Sequence, residues 1–283
     1  MRLSVIIPAH NEEGCLERTL RNLDEKLLAE KIDHELVVIN DGSSDKTGEI
    51  LASLQKQIPA LRCSNSRFPP GFGYAIRSGL EIYTGDAAAI YMADASDSPD
   101  DLVRFFRTLE TTGVDCVFGS RFMAGSLVVD YPWLKLFLNR LANTLIRILF
   151  AVPYNDTTNA FKLYKRETIE GLKPFLSEHF NLTLELPLKA IVRGYSYAVL
   201  PNSWNGRKTG ASTFRIKEMG SRYFFILKEC LKEKYQADFH IRMEYFKIIN
   251  DKGKKTYIKT ILSMYGSSKI SRCQHDYQQP QKQ

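Results

Sequence analysis

The chain of 283 residues contains no run of 18 uncharged apolar residues, so nothing in it reads as a membrane-spanning helix. Its first apolar run, Leu3 to Ala9, is too short for a secretory leader and is followed at once by Asn11-Glu12-Glu13. Cysteine is scarce: Cys15, Cys63, Cys116, Cys230 and Cys273 form an odd set without a CxxC pair. That argues against a disulfide framework or a zinc site. It fits a reducing compartment, so a cytoplasmic location is expected. Absent too is a glycine-rich, Arg- and Lys-bearing loop after the first apolar run, where PAHNEEG stands instead. This sets aside a sugar-nucleotide pyrophosphorylase-like enzyme. The sequence shows no internal repeat and no recognised nucleic-acid-binding motif, and nucleic acid is not an expected partner.

Acidic residues thin out toward the end. Residues 201–283 hold 17 of the 39 Lys and Arg but 7 of the 32 Asp and Glu. Such a basic third is either a solvated tail or a surface for an anionic partner such as lipid. With 44% hydrophobic and 25% charged residues the composition is globular.

What is present alternates. Apolar runs at 3–7, 36–39, 87–92 and 114–119 read as buried strands. Helical spacing fills about 12–29, 74–83 and the stretch from Pro99 to about residue 110, and Asp45 can cap a helix into Leu54. This alternation predicts an α/β fold with a mostly parallel sheet flanked by helices. Glu12, Asp41, and Asp94 with Asp97 follow three different strands. In open sheets of this kind ligands bind at the carboxyl ends of the strands. Carboxylates gathered there repel each other unless a cation such as Mg²⁺ or Mn²⁺ joins them, with substrate phosphates completing its shell.

Residues 133–150 form a long helical stretch with Lys135, Asn139, Asn143 and Arg147 four apart and apolar residues on the other faces. Such a helix is either core with one wet stripe or faces a bilayer. Residues 216–235 read as a basic, aromatic-rich helix that lies in a membrane interface or packs back on the domain. Residues 236–283 read as a polar, basic, partly disordered tail after a main domain of residues 1–215.

Taken together, PAHNEE (8–13), VINDGSSD (38–45), GFGYAIRSGL (71–80) and Met92-Ala93-Asp94 resemble the motifs of family-two glycosyltransferases. Gly119-Ser120-Arg121 and DTTNAFK (156–162) resemble the polyprenyl-phosphate (dolichol-phosphate mannosyltransferase) branch of that family. The resemblance implies a GT-A (Rossmann-like) domain and an inverting transfer of a hexose from a UDP- or GDP-sugar to an acceptor, a polyprenyl phosphate at the cytoplasmic membrane face.

It also implies roles. Pro8, Ala9, His10, Glu12, Ile39, Asp41, Arg77, Ala93 and Asp94 would bind the nucleotide sugar. Asp94, with Ser96 and Asp97, would hold the metal. Arg121 and Arg207 would hold phosphate oxygens and, with Asp94, form the catalytic set. Lys135, Asn139 and Lys208 would join the two arginines at the acceptor.

The chain departs from the branch pattern at Met92, where the family carries the first Asp of Asp-x-Asp, and at Asn40, Lys135, Asn139 and Thr213. Leu184-Glu185-Leu186 stands where many relatives acting on alcohols carry Glu-Asp, which favours a phosphate acceptor needing no base. Transfer to an alcohol, and a non-catalytic protein keeping the fold, are the alternatives. Asp94 as a helix cap, Arg121 as an ion-pair partner and Glu185 as a structural residue are the plainer readings of those positions.

Overall fold

The computed structural model describes residues 1–206 and 220–236. Expectations for Arg207, Lys208, Thr213 and residues 237–283 lie outside the described residues.

The first half runs β1 (Leu3–Ala9), α1 (Leu16–Ala29), β2 (His34–Asn40), α2 (Thr47–Leu54), β3 (Leu61–Asn65), α3 (Phe72–Ile82), β4 (Ala87–Ile90), α4 (Pro99–Thr112) and β5 (Cys116–Ser120). The second runs β6 (Val128–Val129), α5 (Trp133–Phe150), β7 (Lys162–Lys165), α6 (Arg166–Gly171), α7 (Leu182–Val192), β8 (Tyr197–Pro201) and β9 (Trp204–Asn205). Residues 220–236 form a further helix.

Seven strands make one sheet in the order β3-β2-β1-β4-β7-β5-β8, with β6 and β9 paired apart. All neighbours are parallel except β7, which runs antiparallel between β4 and β5. The sheet is therefore mostly parallel, as the alternation of elements predicts.

Period-two burial explains why it is sandwiched. Leu3, Val5, Ile7 and Ala9 of β1 point to the layer of α1, α2 and α4, where Leu16, Leu20, Leu51, Phe105 and Leu109 meet them. Ile6, Val37, Ile39, Ala88 and Ile90 point to the opposite layer, formed by α3, α6 and α7. Gly79 lets α3 lie directly on β1, since a Cβ there would come 2.5 Å from the Ile6 side chain.

Two sequence expectations need correction. The third strand stops at Ile90 rather than residue 92, because Tyr91 and Met92 turn away to begin the acidic loop. Neither β3, β7 nor β8 is foreseen: β3 and β7 are short and interrupted by polar residues, whereas the apolar run of β8 (YAVLP) is passed over.

The larger correction concerns α5. Of its 18 residues only Asn143, Ile146 and Phe150 are buried, while Trp133 (77% exposed), Phe137 (60%) and Ile148 (71%) project outward. The core reading fails for most of this helix: Asn143 of the polar stripe packs inward, Arg147 is exposed, and of the apolar residues only Ile146 and Phe150 are inside. Ile146 and Phe150 join Leu184 and Leu188 of α7 and Ile226 and Cys230 of the 220–236 helix in a small third cluster. That last helix also leaves Phe224 (70%) and Tyr235 (66%) exposed. Among the described residues no helix is long and apolar enough to cross a membrane.

Candidate active site

The sheet order places β2, β1 and β4 side by side, so the loops carrying Asp41, Glu12 and Asp94 leave from adjacent carboxyl ends. Asp41 N–H donates to Ala9 O (2.8 Å), and the His10 ring nitrogen Nδ1 lies 2.7 Å from Asp41 O. Thr19 Oγ1 donates to Ala93 O at 2.9 Å, tying α1 to the loop after β4. Glu12 is buried, its N–H donating to Thr47 Oγ1 and its Oε2 accepting from Cys15 Sγ at 3.2 Å. Asn11 (φ 56°) and Ala95 (φ 58°) are left-handed on these loops. For alanine that conformation costs on the order of 1 kcal/mol, a strain typical of functional turns.

Asp41 is the most constrained of the three. Its Oδ2 accepts the Gly71 N–H at 2.8 Å, where the chain enters α3. Its Oδ1 is buried and takes no hydrogen bond among the described residues. Burial pushes its carboxyl above the ordinary value, partly offset by the Gly71 amide. A buried carboxylate oxygen without a donor costs stability unless a ligand supplies one. Ile39, Ala93 and Ala9 are buried, and Pro8 is partly buried at the end of β1. Arg77 lies over the Phe68 and Tyr74 rings, 5.2 and 5.4 Å from their centres, and those two rings stack on each other.

The loop after β4 separates two acidic side chains the sequence treats alike. Asp94 is half-buried, and its Oδ1 accepts the Ser96 N–H at 3.1 Å. Asp97 is inside: Oδ2 takes the Met92 N–H at 3.3 Å, while its backbone accepts the Tyr91 hydroxyl and pairs with Trp204. Burial, with Asp94 nearby, pushes its carboxyl up to about 8. Ser96 is buried as well, accepting Asn205 N–H at its carbonyl. Of the expected metal trio, Asp97 and Ser96 are buried and bonded within the loop, and Asp94 is half-buried. Among the described residues no three His, Cys, Asp or Glu converge on one point. One carboxylate fits an ion held chiefly by substrate phosphates and does not fit an all-protein cage.

On the other side of β4, Arg121 follows β5. Its Nε and Nη2 donate to the two oxygens of Asp156 at 2.8 and 2.7 Å, and its own N–H donates to Asp156 Oδ2. Asp156 is fully buried and the Arg121 side chain is 9% exposed. Burial pulls the guanidinium down, but Asp156 outweighs it and holds the charge firmly. The plainer reading of Arg121 as an ion-pair partner thus describes its geometry, and any phosphate contact would be made from within that pair.

Lys135 stands with Nζ 5.8 Å above the Tyr131 ring. Asn139 donates to the Tyr131 hydroxyl at 3.0 Å and accepts from Thr158 Oγ1 at 2.9 Å. The Tyr131 ring in turn packs on Trp204, 4.8 Å between centres. The loop after β4 and the segment before α5 therefore meet around Asp97, Trp204 and Tyr131.

Glu185 is structural. It is fully buried, accepts the Leu176 and Ser177 amides at 2.8 and 2.7 Å, and pairs with Lys189. Sequence reasoning placed Asn143 only in the polar stripe of residues 133–150 and gave Lys162 no role of its own beyond its place in DTTNAFK. Lys162 is buried, with Nζ donating to the carbonyls of Thr157 (3.1 Å), Asn159 and Thr183 (3.2 Å). Burial pushes its ammonium down to about 7. The lone lysine in DTTNAFK was the available signal, but nothing in a sequence says that a lysine is buried.

Comparison with known proteins agrees with this architecture. The chain is 29% identical over 242 residues to polyprenol monophosphomannose synthase of Mycolicibacterium smegmatis, covering 78% of this chain and 88% of that one. It is 27% identical over 224 residues to dolichol-phosphate mannosyltransferase of Pyrococcus furiosus, covering 77% of this chain and 60% of that one. Among solved structures, glucosyl-3-phosphoglycerate synthase of Mycobacterium tuberculosis, in complex with Mn²⁺, UDP and phosphoglyceric acid, superposes with a TM-score of 0.62 at 18% identity, over 81% of this chain and 78% of that one. Residues 4–172 match the model of glycosyl transferase family 2, a family of enzymes, and the chain belongs to that family.

Proposed function

We propose that this glycosyltransferase moves a hexose from a nucleoside diphosphate sugar to a polyprenyl phosphate at a membrane surface, on its cytoplasmic side and with inversion at the anomeric carbon. The names of the relatives point to mannose as the sugar. The observation that carries the acceptor is α5: an outward apolar face whose inward polar edge rests on the loop that clamps Arg121. A lipid phosphate lying along such a helix keeps its chain in the bilayer and brings its charged head to the protein.

The donor fits the β1–β2–β4 edge. Asp41 Oδ1, buried without a partner among the described residues, suits an N–H or hydroxyl of the nucleoside. Asp94 would hold Mg²⁺ or Mn²⁺ together with the donor diphosphate. The ion supplies charge neutralisation as the diphosphate departs. Arg121 lies beside this edge as a fixed cation and would meet the acceptor phosphate, with Arg207 assigned to the same work by the family motif.

An acceptor phosphate is already anionic and attacks without a protein base. That suits this chain, because both Glu185 oxygens are occupied by two amides and Lys189. The test is calorimetric titration of UDP- and GDP-sugars with Mn²⁺ or EDTA, followed by transfer assays. Metal-dependent binding of one donor, lost in Asp94→Ala, and transfer to isoprenyl phosphate but not to an isoprenyl alcohol, is expected. Transfer to the alcohol alone would overturn the acceptor, and no donor binding at all would overturn the whole reading.

A further inference from the structure

The turn 156–159 leaves the region of α5 and enters β7, and it is held from three sides. From β5, Arg121 grips Asp156 through three hydrogen bonds, and Asn159 Nδ2 donates to Gly119 O at 3.0 Å. From α5, Asn143 is the hub. It is 1% exposed, and its Oδ1 accepts from Thr157 Oγ1 at 2.7 Å, while its Nδ2 donates to Thr158 Oγ1 at 3.0 Å and to Asn139 Oδ1 at 2.6 Å. From below, Lys162 gathers the carbonyls of Thr157 and Asn159 together with Thr183 O at the start of α7.

A buried asparagine and a buried lysine are both expensive, and hydrophobic residues would fill the same space at lower cost. Among the described residues Asn143 bonds only within α5 and to the turn, and Lys162, although its backbone pairs with Ile90 of β4, sends its ammonium to the turn carbonyls. What they share is the short segment on either side of which Asp156 and Thr158 sit. Asp156 orients the Arg121 fork with two parallel bonds, so a shift of the turn by a fraction of an ångström moves the guanidinium with it.

We infer that Asn143 and Lys162 are positioning residues that hold the 156–159 turn from α5 and from α7, and through Asp156 set the orientation of Arg121 toward the acceptor phosphate. This rests on the proposed reading of Arg121 as an acceptor-phosphate ligand. It adds that α5, besides offering an apolar face, is mechanically linked to the reactive cation through the Asn143–Thr157 contact.

The experiment uses the full chain with Mn²⁺, GDP-mannose as donor and a short-chain isoprenyl phosphate as acceptor. The variants are Asn143→Ala, Thr157→Val, Thr157→Ser and Lys162→Met, each alone and combined with Arg121→Lys. Donor affinity is read by calorimetry and acceptor kcat/KM by transfer. Asn143→Ala, Thr157→Val and Lys162→Met are expected to lower acceptor kcat/KM about tenfold or more, with donor Kd within about twofold of the parent. Thr157→Ser, which keeps the hydroxyl, is expected to remain near the parent. In the Arg121→Lys background the same changes are expected to have almost no further effect, because they act through a side chain already altered.

Full additivity with Arg121→Lys would overturn the inference, as would Thr157→Ser being as damaging as Thr157→Val, or all three variants matching the parent. If Lys162→Met fails to fold, the Asn143 and Thr157 arms decide alone. A parent chain that transfers nothing to any phosphate overturns the underlying reading and the inference with it. Parent-level transfer in the variants overturns the inference only.

Discussion

Serine at Phe137, Leu141 and Leu145 separates membrane docking from folding, because these residues lie four apart on α5 and are 60%, 48% and 53% exposed. Full burial of a Leu or Phe side chain is worth about 1.5–3 kcal/mol. Roughly half of each side chain is still available to a bilayer, so each contributes about 1 kcal/mol and the three together about 3–4 kcal/mol. At 1.4 kcal/mol per decade, partitioning onto vesicles is expected to weaken by two to three orders of magnitude. Sedimentation with anionic phospholipid vesicles measures it, and thermal melting of the same variant is the control. Exposed residues make few native contacts, so stability is expected to stay within about 0.5 kcal/mol per site. Unchanged vesicle binding would refute the docking face. A melting point lowered as if a core had been emptied would show that the face is covered by the protein itself.

Asp156→Asn leaves the Arg121 charge buried without its counter-ion and is expected to cost about 3–5 kcal/mol in urea unfolding, with part restored when Arg121 is also made apolar. Gly73→Ala drives a Cβ to within 2.6–2.8 Å of the Glu178–His179 backbone, which cannot yield as a side chain tip does, and is expected to cost about 1–3 kcal/mol in the same assay. Glu35 is opposed by burial, but its bonds to Ser4, Thr84 and Arg62 win and hold its carboxyl down at about 2 against 4.5 unfolded. Its contribution is therefore complete above pH 4.5 and is lost as pH falls toward 2. Glu35→Gln should flatten that part of the stability–pH curve, and an unchanged acid limb would contradict the assignment.

Much of the β1–β2–β4 edge was legible because strand alternation and acidic turns are local signals. Val5–Ala9 and Leu36–Ile39 are wholly apolar, and Glu12, Asp41 and Asp94 follow strands that the sheet then sets side by side. What sequence could not reveal was direction. Asp94 and Asp97 are three apart in one turn, yet one is half-buried and the other fully buried, bonded to the Met92 amide. The stripe Asn139–Asn143 reads equally well as the wet side of a core helix and as the dry side of an inverted one; only the docked 156–159 turn decides. Arg121 and Asp156 stand 35 positions apart, and no local pattern announces their pairing.

The reversed strand β7 has a consequence for how the chain is made. The order β3-β2-β1-β4 can assemble as soon as Ile90 has been synthesised, since its connections are local crossovers. β5, once made, still has no partner, because the strand that joins it to β4 ends at Lys165. From Ile90 onward the nascent protein therefore carries an open sheet edge, Ala87-Ala88-Ala89-Ile90, every residue of which is destined for the interior. Non-local pairing of this sort is slow and leaves apolar edges available to other chains. The arrival of residues 162–165 covers the β4 edge and joins it to β5, with β8 still to add beyond, so the part of the sheet past β4 is the last to leave the aggregation-prone interval.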